Sequence, residues 1–278
     1  VRSEPGTSLP FAVTAHEAAH QWWGNLVTVA DGPGADVLLE GMANYAALLL
    51  HEAERGLRGR IAFATLLERR YRAGRRAATE RPLVQMVDTG APGTATVVFD
   101  RGAWALWMLH RHLGGDRMLA GLREFAFRHR DARPGTFPTL GDLLEMLRER
   151  ATDPDVFDAF VAQWFGRVVV PDLRVQDARV RAMADGRWVV EAEVANVGTG
   201  TVVADVAVSQ GPRFPGDARE PATDFRAVRR PARLVPGSPV TLRFDLPFRP
   251  DRIVIDPDAE VLQLSRERAT RELPRSSP

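Results

Sequence analysis

Two histidines and a glutamate fall together in Thr14-Ala-His16-Glu17-Ala18-Ala19-His20, an H-E-x-x-H pattern. Residues four apart share one face of an α-helix, so both imidazoles can reach one metal ion. Glu17, beside the first of them, is placed to take a proton from a metal-activated water. The chain has no cysteine, which excludes disulfides, thiolate ligation and a cysteine nucleophile, so any metal must be held by histidine and carboxylate. A catalytic zinc needs a third protein ligand and an open fourth position. Glu40 is the candidate, in Leu38-Leu39-Glu40-Gly41-Met42-Ala43-Asn44-Tyr45. It stands among leucines at the start of an apolar helical segment, where a carboxylate wants a cation. The tight Asp31-Gly-Pro-Gly34 turn lets that second helix run back past the first.

The other metal-binding residue types carry less. His51 and Glu52 lie eleven and twelve residues beyond Glu40, about 16 Å along a helix, too far to be ligands. His110 and His112 are two apart and face different sides of a helix. His129, between Arg128 and Arg130, reads as surface. Trp22 and Trp23 suit either a substrate pocket or the core, and Asp256-Pro-Asp258 reads as a turn before it reads as a calcium site. Arg69, Arg70, Arg72, Arg75 and Arg76 read as a solvated helix face.

The elements that must position these residues are helical from Phe11 to about Phe165. Apolar residues recur at three- and four-residue spacing in Val37 to Leu50, Ile61 to Tyr71, Ala103 to Leu113 and Met118 to Phe127. Roughly seven helices are predicted, with Thr139 as an N-cap, Asp153-Pro154 opening another helix and Gly114-Gly115 separating two more. Arg81 to Val98 reads as a long loop, and such loops in compact domains are often functional. After Gly166 the pattern changes to alternating strands: Leu173 to Val180, Trp188 to Val194, Val202 to Val208, Val240 to Leu246 and Arg252 to Ile255, with Gly211 to Pro221 as a polar excursion. The predicted architecture is therefore α + β in two domains. A helical catalytic domain, N-terminally incomplete, occupies 1–168, an antiparallel β-sandwich 169–264, and a charged, frayed tail 265–278.

The 278 residues suffice for two domains of ordinary size. Basic and acidic residues nearly cancel, 37 against 36, so charge calls for neither nucleic acid nor an anionic membrane. Every basic residue is arginine, which points to a GC-rich bacterial coding bias. No apolar run is long enough to span a bilayer, and Val-Arg-Ser-Glu-Pro-Gly has no signal-peptide pattern. A start at Val1, without methionine and with the chemistry inside the first twenty residues, leads us to expect a soluble piece of a longer protein.

The motifs resemble those of the gluzincin aminopeptidases, the family of alanyl and puromycin-sensitive aminopeptidases. His16-Glu-Ala-Ala-His20-Gln-Trp-Trp-Gly-Asn-Leu-Val-Thr28 is similar to the family's H-E-x-x-H-x-W-x-G-N-x-V-T, and Glu40-Gly-Met-Ala-Asn-Tyr45 to its E-G-F-A-x-Y. Asp100-Arg-Gly-Ala103 and Phe160-Val-Ala-Gln-Trp164 resemble two further segments. The likeness spans nearly the whole helical domain, and the family's β-sandwich matches the second domain by order and texture. It implies a zinc-dependent, aminopeptidase-like metallopeptidase acting on a peptide substrate, with one Zn2+ per chain on His16, His20 and Glu40. Glu17 would be the general base that deprotonates the attacking water and then protonates the leaving amine.

Three departures qualify the resemblance. Nineteen residues separate His20 from Glu40, where the family usually has eighteen and thermolysin-like peptidases have nineteen. The family's oxyanion-binding tyrosine is replaced by Phe99, which has no hydroxyl to donate; a substitute donor would have to come from Arg101 or from the 81–98 loop. The family's G-x-M-E-N segment, which grips a substrate's free α-amine, would lie upstream of residue 1. Two readings follow: an aminopeptidase-like zinc peptidase, or a catalytically impaired zinc- or peptide-binding domain of a larger membrane-associated protein. Val254-Ile-Asp-Pro-Asp-Ala-Glu-Val-Leu262 also resembles a strand of bacterial permease-like membrane proteins that carry a related C-terminal peptidase domain, which would put a membrane-spanning segment upstream.

Overall fold

The structure, a computed structural model, describes residues 9–274. The chain divides into two compact units between Val169 and Val170. The first is helical and the second consists of antiparallel sheets.

In the helical unit, α1 spans Leu9–Ala19, α2 Met42–Gly74, α3 Thr94–Thr96, α4 Gly102–Leu113, α5 Gly115–His129, α6 Leu140–Arg148 and α7 Pro154–Trp164. Local chemistry sets several of these ends. Thr139 and Asp142 form a reciprocal capping box at the start of α6. The Asp153 carboxylate accepts from the backbone N–H groups of Asp155 and Val156 at the start of α7, with Pro154 in the first turn. Helix α4 is the centre of this unit, and every residue from Gly102 to Leu109 is buried, Trp104 and Trp107 included.

The two predicted helices, Val37 to Leu50 and Ile61 to Tyr71, follow each other end to end in the structure without a loop between them. Helix α2 comprises both and kinks at Gly56, whose φ of 66° and ψ of −169° only glycine adopts without strain. The predicted 81–98 loop is shorter than expected, because residues from Thr94 to Val98 already belong to helical segments.

Both α2 and α4 begin with a π-helical turn, Val37–Gly41 and Val97–Arg101 respectively. These turns meet at two glycines. A Cβ on Gly41 would lie 3.1 Å from the Val98 carbonyl oxygen and 3.3 Å from Gly102 Cα. Backbone approaches backbone here only because neither residue carries a side chain.

In the second unit, β1 (Leu173–Ala182), β2 (Trp188–Asn196) and β5 (Val240–Leu246) form one sheet in the order β1-β2-β5. The other sheet, β4-β3-β6-β7, contains β3 (Val202–Gln210), β4 (Arg226–Leu234), β6 (Arg252–Ile255) and β7 (Thr270–Glu272). All pairings are antiparallel. Val190, Val194, Phe244 and Leu246 of one sheet and Val206, Val208, Leu234, Ile253 and Ile255 of the other are buried.

Two features of this unit differ from the sequence expectation. Strand β4 was not predicted, because Arg229-Arg230-Pro231 hides the pattern; proline is tolerated there because β4 is an edge strand. The stretch from Ser265, expected to be a frayed tail, contributes β7, anchored by buried Ala269 and Leu273 on either side. Residues 275–278 of that expected tail, and the N-terminal Val-Arg-Ser-Glu-Pro-Gly, lie outside the described residues.

Candidate metal centre

Helix α1 carries His16 and Glu17 and ends at Ala19, so His20 falls in the turn that follows. The backbone N–H groups of Trp22 and Trp23 both bond to the Ala19 carbonyl, which tightens the chain immediately after the helix. Trp23 is buried and Trp22 is 55% exposed. The second histidine is thereby presented beside the first, the two rings meeting edge to face with centroids 4.8 Å apart.

Glu40 enters from the π-turn ahead of α2. Its Oε2 lies 3.1 Å from His16 Nε2 and 3.4 Å from His20 Nε2, and the two Nε2 atoms are 3.2 Å apart. Among the described residues this is the one convergent group of three histidine or carboxylate side chains. Glu17, the next residue after the first histidine, is exposed.

The other nitrogen of each imidazole is committed. His20 Nδ1 is 2.9 Å from the Trp23 carbonyl oxygen, which can only accept, so Nδ1 carries the proton. His16 Nδ1 is 3.0 Å from Asn44 Oδ1. The orientation of that amide is assigned by its other end, since Asn44 Nδ2 donates to the Phe99 carbonyl at 3.1 Å. With both Nδ1 positions protonated, two Nε2 lone pairs and a carboxylate oxygen point at one another. Three acceptors converging in a half-buried site are satisfied by a cation. The chemistry fits zinc: a tetrahedral ion with donors at about 2.0–2.1 Å sets them about 3.3 Å apart, and the observed separations bracket that value. Without a metal, a proton on His16 Nε2 takes the cation's place and donates to Glu40, which raises that imidazole above its ordinary pKa and holds Glu40 below the usual carboxylate range.

Phe99 sits on the second π-turn with its ring nearly parallel to that of His16, 13° between planes and 5.7 Å between centroids. Phe99 therefore packs directly against a residue of the centre. Neither tyrosine of the chain supplies a substitute. Tyr45 Oη pairs with His110 Nδ1 at 2.7 Å, and Tyr71 Oη donates to Glu80 at 2.5 Å. Arg101, considered from sequence as a replacement donor, is committed elsewhere. It is almost fully buried, with its guanidinium on the Glu80 carboxylate and on the carbonyls of Arg81 and Arg167.

The remaining histidines stay apart from the triad. His51 donates to the Ala47 carbonyl and stacks on Phe63; His112 stacks on Phe160; His129 packs against Phe125. Asp256 is a turn former, its carboxylate accepting from the backbone of Glu260 and Val261 and from Arg266. Asp258 is paired with Arg213 and Arg229.

Two features escaped the sequence reading. Asn44 was visible only as the variable position of its motif. Glu80, buried and paired with Arg75, Arg101 and Tyr71, gave no signal because its partners are distributed along the chain. Asp100 is also fully buried, with neither carboxylate oxygen hydrogen-bonded and Arg70 Nε 3.4 Å away.

A helical unit that presents two imidazoles and a carboxylate in this way defines the zinc metallohydrolase class. More narrowly, residues 7–164 match the peptidase family M1 domain, and the chain belongs to that family, whose cofactor is zinc. Among solved structures it is similar to an M1 zinc metallopeptidase from Deinococcus radiodurans bound to a Tyr-Ser-Ala substrate, with TM-score 0.44 and 26% identity over 58% of this chain and 34% of that one. It is also similar to two-domain M1 zinc metallopeptidase mutants, one bound to L-arginine (TM-score 0.44, 26% identity, 56% and 33% covered) and one to L-tryptophan (0.42, 26%, 54% and 32%). The chain thus spans about a third of the length of these structures. No curated protein matches it. No helix among the described residues is long and apolar enough to cross a membrane.

Proposed function

We infer that His16, His20 and Glu40 hold one zinc ion and that Glu17 is the general base of an aminopeptidase-like peptide hydrolysis. The observation that carries this is the convergence of two Nε2 lone pairs and the Glu40 carboxylate within 3.1–3.4 Å while both Nδ1 positions are occupied. Zinc bound there supplies Lewis-acid polarisation of the scissile carbonyl and lowers the pKa of water. The residues of the chain do the rest. Asn44 and the Trp23 carbonyl hold the imidazoles in the tautomer that leaves Nε2 free. Glu17, exposed on α1 beside the first ligand, takes the proton of the attacking water and passes it to the leaving amine.

A second reading has its own observation. Phe99 brings no donor to the centre, and both tyrosine hydroxyls and Arg101 are engaged elsewhere. Loss of one oxyanion donor costs about a hundred- to a thousandfold in turnover. On this reading the domain binds zinc or peptide with little hydrolysis, as part of a larger membrane-associated protein.

The deciding experiment measures zinc per chain and hydrolysis of a panel of peptides with free and acetylated N-termini, for the wild type, Glu40→Ala and Glu17→Gln. One zinc per chain that is lost with Glu40→Ala, together with hydrolysis that needs Glu17 and a free N-terminus, establishes the aminopeptidase reading. Bound zinc without hydrolysis of any peptide selects the impaired one. No zinc in the wild type removes the aminopeptidase reading and the zinc-binding form of the second.

A further inference from the structure

Glu40 and Asn44 are one helical turn apart on the same face, and between them they engage both nitrogens of a single imidazole. Glu40 Oε2 meets His16 Nε2 at 3.1 Å and Asn44 Oδ1 meets His16 Nδ1 at 3.0 Å. The Asn44 amide then reaches across to the π-turn ahead of α4 and donates to the Phe99 carbonyl at 3.1 Å. Asn44 is itself buried, with 5% of its surface exposed, so its polar atoms must find partners inside the protein. The Phe99 ring lies near-parallel to the His16 ring. One side chain therefore touches a ligand from the first helix, belongs to the helix of the third ligand and fixes the segment that stacks against the first.

We propose that Asn44 is a positioning residue of the metal centre, which orients His16 through its side-chain oxygen and ties that ligand to the Phe99 turn through its amide nitrogen. This rests on the zinc reading of the triad. Outer partners that hold the second nitrogen of a ligating imidazole fix its tautomer and its ring plane, and their loss weakens metal binding by about ten- to a hundredfold. The amide is a neutral acceptor, so it sets tautomer and orientation without placing a further negative charge beside Glu40. The two halves of the side chain are separable by substitution. Asn44→Ala removes both bonds, whereas Asn44→Asp keeps an oxygen for His16 Nδ1–H and removes the donor to Phe99.

The test is the zinc dissociation constant of the full chain, measured by competition with a chelator for the wild type, Asn44→Ala and Asn44→Asp, with a thermal melt of each zinc-free protein. Asn44→Ala is expected to bind zinc about ten- to a hundredfold more weakly, and Asn44→Asp to stay near the wild type even where its melting midpoint falls. Alanine binding as tightly as the wild type overturns the proposal. So does an aspartate variant that loses as much affinity as alanine, since the amide tie alone would then explain the loss. Should alanine fail to fold, the aspartate variant decides by itself: retained affinity supports the proposal and lost affinity ends it. A wild type that binds no zinc overturns the triad first and this inference with it, an outcome distinct from all the others.

Discussion

At the scale of single residues, the chemistry divides between what holds a metal and what moves a proton. Glu17 belongs only to the second group, so Glu17→Gln should leave zinc content unchanged while lowering kcat by about a hundred- to ten-thousandfold; a variant that also loses zinc would show that the carboxylate has been given the wrong job. Phe99 presents the complementary case. It packs against His16 with no donor, and Phe99→Tyr should raise kcat by about a hundred- to a thousandfold with little change in KM. An unchanged kcat in a folded, zinc-loaded variant would mean that the hydroxyl is not what limits turnover. The next residue, Asp100, makes a prediction about stability. Burial pushes its carboxyl up to about 7, against the opposing pull of Arg70. Its pKa is thus higher folded than unfolded, the native state binds the extra proton between about pH 4 and about pH 7, and its contribution to stability falls as pH rises through that window. The slope is at most about 1.4 kcal/mol per pH unit. Asp100→Asn should flatten this part of the profile, raising the melting midpoint relative to the wild type at pH 8 and changing it little at pH 4. Parallel curves for the two proteins would remove Asp100 as the cause.

At the scale of elements, the centre depends on two π-turns that touch. Glu40 lies on one and Phe99 on the other, and Gly41 and Gly102 let them meet. Gly102→Ala would place its Cβ 3.3 Å from Gly41 Cα and from the Val37 side chain. We expect a loss of about 1–3 kcal/mol of stability together with weaker zinc binding, because the turns carrying Glu40 and Phe99 are forced apart. A variant that is destabilised but binds zinc normally would show that the contact serves packing alone. This contact also marks where the sequence stops being informative. The i, i+4 histidines and the carboxylate opening an apolar helix were readable because each rests on spacing within one element. Asn44 was not, since its partners come from segments tens of residues away, and neither was Glu80, whose partners Tyr71, Arg75 and Arg101 share no single periodic pattern with it. Periodicity showed two helices within α2, and the structure has them, joined where Gly56 leaves helical geometry. Strand β4 was hidden by its arginines and proline, which an edge strand accepts and an interior one would not.

At the scale of the whole molecule, every residue assigned to the centre lies in the helical unit, contributed by α1, the turn after it, α2 and the segment leading into α4. A ligand that binds only the native state stabilises it by RT ln(1 + [L]/Kd), about 4 kcal/mol at a thousandfold excess over Kd. That stabilisation is felt by the segments whose opening would break the ligand set. Zinc added to the full chain should therefore slow amide hydrogen exchange in peptides covering residues 9–50 and 94–113. Exchange in the strands between residues 173 and 255 should be unchanged, and Glu40→Ala should abolish the response. The β unit supplies no member of the convergent group, so protection there of the same size as in the helices would mean that metal binding couples the two units. Protection confined to residues 9–24, without α2, would mean instead that the histidines bind zinc and Glu40 does not complete the site.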